Sequence, residues 1–174
     1  MTSLLAFFCG TYLVAIAETA LAGCMNIRSA SPSLLALWAL ISCLARPAAP
    51  RGAVQPGVVT AAFVGLIFDL NSGGHLGVGV VAFSAVAAVL DQLGPRFRRL
   101  DPLLRTLATA PLVAAIMSLV LLGNLIAGES VPALSHALWN VAIIAAYTSA
   151  ISLPIWMCVG WLPQSKRVGH ALRA

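Results

Sequence analysis

The chain has 174 residues, a length suited to one domain. Hydrophobic types make up 60% of it and charged types only 9%, too little charge to cover a soluble domain of this size. The net charge of +5 sits in short segments between long apolar runs, which argues against a nucleic-acid-binding face and for a multi-span membrane protein.

The first apolar run is Leu4–Met25. Met1-Thr2-Ser3 lacks the basic start of a secretory signal. Leu21-Ala22-Gly23-Cys24 resembles a bacterial lipoprotein processing box, but Glu18 just before it and five further apolar runs argue against processing. The second run, Ser33–Leu44, starts after Pro32 and is short for a span, so it should borrow flanking residues or thin the bilayer locally. The third and fourth runs, Val54–Leu70 and Leu76–Leu93, form a hairpin, followed by a basic connection through Pro95-Arg96-Phe97-Arg98-Arg99. The fifth run, Leu103–Ala127, contains Pro111, where a kink is expected. The sixth, Ala133–Leu162, contains Pro154 and leads into a basic tail. Six spans are expected in a single all-α transmembrane domain over 1–174.

The hairpin carries the most information. Gly57, Ala61, Gly65 and Asp69 recur every four residues and share one helix face. Such a small-residue ridge admits a neighbouring helix closely, which is how helices associate where lipid removes the hydrophobic drive. Asn71-Ser72-Gly73-Gly74 then reads as a tight turn. Asp69 sits at a helix C-terminus, where the dipole disfavours an anion. It should therefore be protonated, paired with Arg28, or bonded to the turn amides of Ser72 to Gly74.

Orientation follows from the bases. With a cytoplasmic N-terminus, the inner side receives Arg46, Arg51, Arg96, Arg98, Arg99, Arg105, Lys166, Arg167 and Arg173, and the outer side only Arg28. Both termini should face the cytoplasm, with Trp156 and Trp161 in an interfacial belt. Glu18 lies deeper in its span, where a carboxylate is either functional or a protonated donor to a neighbouring helix.

Other groups carry less chemistry. Cys9, Cys24, Cys43 and Cys158 form no CxxC pair and read as small apolar core residues. His75 and His136 lack a third ligand for a metal. Arg96, Arg98 and Arg99 set topology and meet anionic headgroups, or dock a cytoplasmic protein. Gly73-Gly74 near Gly77 and Gly79 is no phosphate loop, and Ser72 has no base beside it. No cofactor, metal or catalytic set is expected.

Gly65-Leu-Ile-Phe-Asp69-Leu70-Asn-Ser72-Gly73-Gly-His-Leu76-Gly77 resembles the G-xxx-DL-x-SG-xx-LG signature of the rod shape-determining protein MreD family. Ala137-Leu138-Trp139-Asn140 is similar to that family's small-Leu-aromatic-Asn segment. Glu18 and His75 are not part of the pattern. The resemblance implies a non-enzymatic scaffold in the bacterial inner membrane, within the cell-elongation machinery. Implied partners are MreC, MreB, RodA and the elongation-specific transpeptidase, besides membrane lipids and, as an option, a second copy of the chain. The implied fold is similar to the substrate-binding subunits of energy-coupling-factor vitamin transporters. On this reading the small face of the third span and the outer turn hold a partner helix, with Gly57, Ala61, Gly65, Asp69, Ser72, Gly73, Gly77 and Asn140 as its motif. The alternative is a small-molecule-binding subunit of a transporter, with a polar outer cavity built from Glu18, Asn26, Arg28, Asp69 and Asn140.

Overall fold

A computed structural model describes residues 2–24, 33–45, 56–73, 75–97, 100–128 and 133–161. These residues form six helices: α1 (Thr2–Cys24), α2 (Leu34–Ala45), α3 (Pro56–Ser72), α4 (Val78–Phe97), α5 (Pro102–Ile126) and α6 (Leu134–Trp161). Pro56 and Pro102 open α3 and α5, where a missing N–H costs nothing. The helical assignment of α5 and α6 continues through Pro111 and Pro154. The stretches 103–126 and 134–158 are each long and apolar enough to cross a bilayer; the other apolar helical stretches are shorter.

Two boundaries differ from expectation. Helix α3 continues through Asn71 and Ser72, so the turn begins later, at Gly73. Helix α4 runs on into the expected basic connection, because Phe97 is buried against the Trp156 ring, with centroids 6.1 Å apart.

The short α2 is the centre of the bundle. It touches each of the other five helices, and Leu35, Ala36, Leu37, Ala39 and Leu40 are almost wholly buried. At 1.5 Å per residue its 12 residues cover about 18 Å, well short of a hydrocarbon core of about 30 Å. A helix can begin and end at membrane depth only where protein, rather than lipid, surrounds its ends. Here protein does surround it. The most extensive pairings are α3 with α4 and α5 with α6, while α1 packs on α2 and α3.

The α3–α4 hairpin is the tightest seam. Gly57, Ala61, Gly65 and Asp69 are all buried on the face turned to α4. A Cβ placed on Gly65 would lie 2.6 Å from the Gly79 carbonyl oxygen and 2.9 Å from the Val80 Cα, so the two backbones are in direct contact. The α5–α6 seam is polar instead. The Ser149 hydroxyl donates to the Thr106 carbonyl at 2.7 Å, and the Thr109 and Ser152 hydroxyls lie 3.1 Å apart. The outward surfaces carry large apolar side chains such as Tyr12, Leu13, Val81, Leu107 and Ile126.

Candidate functional site

Asp69 ends the small-residue ridge and is 3% exposed. Its Oδ2 accepts the Gly77 N–H at 2.8 Å and the Val80 N–H at 3.4 Å, and its Oδ1 accepts the Gly79 N–H at 2.7 Å. These are the N-cap, N2 and N3 donors of α4, which a helix cannot satisfy from within. The Val78 N–H bonds to the His75 carbonyl at 3.4 Å, completing the set. Asp69 therefore caps α4 from α3. The unfavourable dipole at its own helix end is offset by the favourable one it faces.

That geometry differs from the expected bonding to Ser72–Gly74, of which Gly74 lies outside the described residues. The extra helical residues carry the chain past Asp69, so the carboxylate looks across to α4 instead of into the turn. Arg28, the other expected partner, lies outside the described residues. Ser72 is exposed and its hydroxyl donates to the Asp69 carbonyl at 3.3 Å. Gly77 adopts φ +103°, which only glycine reaches without strain, and this conformation turns its N–H toward Asp69. Gly73 also has positive φ, with open space around it. Asn140 lies half-buried on α6, away from the hairpin in sequence and not brought into the Asp69 network.

The ridge itself is filled. Because α4 occupies the Gly57–Asp69 face, that face has no room for a helix from another protein, contrary to the expected docking mode. The other end of the same seam holds a residue that sequence reasoning missed. Asp91, near the C-terminal end of α4, has its carboxylate against Gly57, where a Cβ would lie 3.2 Å from Oδ1. Each helix of the hairpin thus directs an acid from its last third onto the first turn of the other. The available signal was an acid at the end of an apolar run, repeated after Asp69.

Glu18 follows the same rule on α1 and α2. Its Oε2 accepts the Leu35 N–H at 2.7 Å. An ionised and a protonated carboxyl can both accept this bond, so it leaves both expected forms of Glu18 open. The remaining expectations separate. Cys43 is buried and its thiol faces the Gly57 carbonyl at 3.4 Å, whereas Cys9 and Cys158 are exposed and so are not core residues. Trp156 is 3% exposed, with the Arg105 guanidinium 5.8 Å from its ring centroid, so it belongs to the interior and not to an interfacial belt. Arg105 also donates from Nε to the Leu100 carbonyl at 2.9 Å. His75 and His136 are both exposed. Among the described residues no group of three His, Cys, Asp or Glu could hold a metal.

No curated protein matches the sequence, and no solved structure matches it. The family model for rod shape-determining protein MreD matches residues 1–162. The match takes in all six helices, including the Asp69-capped hairpin and the central α2. The chain therefore belongs to the MreD family of rod shape-determining membrane proteins.

Proposed function

We propose that the protein is a non-enzymatic, six-span scaffold subunit of the inner-membrane cell-elongation complex, acting through helix–helix contacts with MreC and, by family resemblance, with MreB, RodA and the elongation-specific transpeptidase. The family membership supports a role in rod shape determination. The observation that supports the scaffold reading is the use of the two deep outer carboxylates. Asp69 and Glu18 both bond backbone amides of neighbouring helices, so they rigidify the bundle and are not held ready for a ligand. The transporter-subunit alternative needs these same two groups to line a polar cavity, and their engagement counts against it.

With the α3 ridge occupied, a partner helix must dock elsewhere. The outward face of α6 exposes Ala142, Ala146 and Ala150 at four-residue spacing, followed by the exposed Pro154. Small side chains at that spacing permit close helix approach in lipid. We place the MreC contact there.

Co-purification from mild detergent tests both levels. Wild-type protein should retain MreC, and Ala146→Leu should lose most of it while remaining folded, since the substituted side chain points outward. Retention of MreC by Ala146→Leu would move the contact off α6. Absence of every shape-determining partner from the wild-type preparation would remove the scaffold reading itself.

A further inference from the structure

The start of α2 is buried: Ser33 is 3% exposed, and Leu35 and Ala36 are 0% exposed. A helix start has four amides without an intrahelical acceptor, and in a water-free interior each needs a partner. All four can be traced. The Ser33 N–H donates to the Thr148 hydroxyl of α6 at 3.0 Å. The Leu35 N–H donates to Glu18 of α1 at 2.7 Å, and the Leu34 N–H faces the same carboxylate. The Ala36 N–H donates to the hydroxyl of Ser33, the helix's own cap, at 3.3 Å. Side chains from three helices close one helix end.

The same face of α1 carries the rest of its attachment. Phe7, Thr11, Ala15 and Glu18 recur every three to four residues and pack inward. The Trp38 indole N–H donates to the Thr11 hydroxyl at 3.0 Å, and Gly10 lies flat against that ring, where a Cβ would be 2.9 Å from it. The opposite face, with Phe8, Tyr12, Leu13 and Ile16, is exposed. Among the described residues, helix α1 packs on α2 and α3 alone. In lipid an apolar face gains little by leaving acyl chains for protein, so close packing and polar contacts must set the docking of such a helix.

We propose that Glu18 is a positioning residue: it caps α2 from a different helix, and thereby both lets the central helix begin inside the bilayer and fixes α1 in register against it. The Glu18–Leu35 and Thr11–Trp38 bonds lie two turns apart on α1, so together they determine rotation and axial position. Loss of Glu18 leaves buried amides without an acceptor, whereas loss of Thr11 leaves one indole N–H.

The reporter is the alkylation rate of a cysteine at Ala15, which is half-buried on the packed face, in a full-length variant with the native cysteines replaced, in membranes, with a lipid-soluble maleimide. Glu18→Ala should raise that rate roughly fivefold or more, the opening expected when a buried donor loses its partner. Glu18→Gln keeps one acceptor oxygen and should recover part of the protection. Thr148→Val removes the α6 partner of Ser33 and should lower the melting temperature without exposing Ala15→Cys. Wild-type alkylation rates in both Glu18 variants would overturn the proposal. So would equal exposure in Glu18→Ala and Thr148→Val, since that would mark general loosening in place of α1 release. If Glu18→Ala does not accumulate, the Glu18→Gln and Thr148→Val comparison still decides the matter.

Discussion

At the residue scale, the capping acids have a demand that an amide cannot meet. Asp69 accepts through both oxygens, Oδ1 from Gly79 and Oδ2 from Gly77 and Val80. Asparagine would offer one oxygen and would turn an NH2 against a backbone N–H. Asp69→Asn should therefore destabilise the protein by about 1–3 kcal/mol, the cost of buried donors left unmade, although the side chain keeps its shape. Thermal unfolding in detergent checks this, and an unchanged melting temperature would show that the hairpin does not depend on the cap. Glycine at 77 is a second such requirement. Gly77→Ala should lose about 1–3 kcal/mol through its φ of +103°. Gly73→Ala should lose less, because its φ of +66° lies in the left-handed region that other residues visit at about 1–2 kcal/mol and nothing crowds the site. Equal losses at the two positions would point to a cause other than backbone strain.

At the scale of elements, the α3–α4 seam and the α5–α6 seam use different devices. The first relies on backbone contact between Gly65 and Gly79, so Gly65→Leu should force the two helices apart and abolish accumulation of folded protein, whether or not a partner is present. Folded, partner-free protein from Gly65→Leu would instead restore the face to a docking role. The second seam relies on hydroxyls. Thr109→Val keeps the volume and removes the hydrogen bonding, with an expected loss of about 0.6–1.7 kcal/mol, the range for such bonds between helices in membranes. The helices themselves were legible in the sequence, because apolar runs and the prolines and glycines between them mark element ends. Asp69 was legible for the same reason, being the single acid at the end of a small-residue ridge. Its partner was not. Moving the end of α3 by two residues changes which amides an Asp69 carboxylate can reach, and boundaries are the least determined part of any reading. Nor was the central position of α2 legible. In a chain that is apolar all round, hydropathy does not distinguish a protein-facing side from a lipid-facing one, so nothing but burial separates α2 from its neighbours. Asp91 was missed because it stands beside a glutamine at a run's edge, where acids usually mark an exit to water.

At the scale of the whole molecule, the polar contacts fix relative direction. Thr11 meets Trp38 and Glu18 meets Leu35, so α1 and α2 are antiparallel. Asp69 meets Gly77–Val80 and Asp91 meets Gly57, so α3 and α4 are antiparallel as well. Cys43 near the end of α2 meets Gly57 at the start of α3, so α2 and α3 are antiparallel too and α1 runs parallel to α3, with Phe8 edge-on against Phe63 at 4.6 Å between centroids. Arg105 in the first turn of α5 lies over Trp156 near the end of α6, so those two helices also run in opposite directions. Alternation of this kind brings the start of α1 and the end of α6 to one side of the bundle, the side of Arg105, and the sequence places Arg96, Arg98 and Arg99 just before that residue. A bias of bases toward one side predicts that it is cytoplasmic. Cysteines placed at Leu76 and Leu103, both largely exposed and at opposite ends of the bundle, read this out after replacement of the native cysteines. A membrane-impermeant maleimide added to intact spheroplasts should label Leu76→Cys and reach Leu103→Cys only after permeabilisation. The reverse pattern would invert the molecule and place the Asp69 and Glu18 caps on the cytoplasmic face. Labelling of both sites before permeabilisation would mean that the helices between them do not cross the membrane as a set.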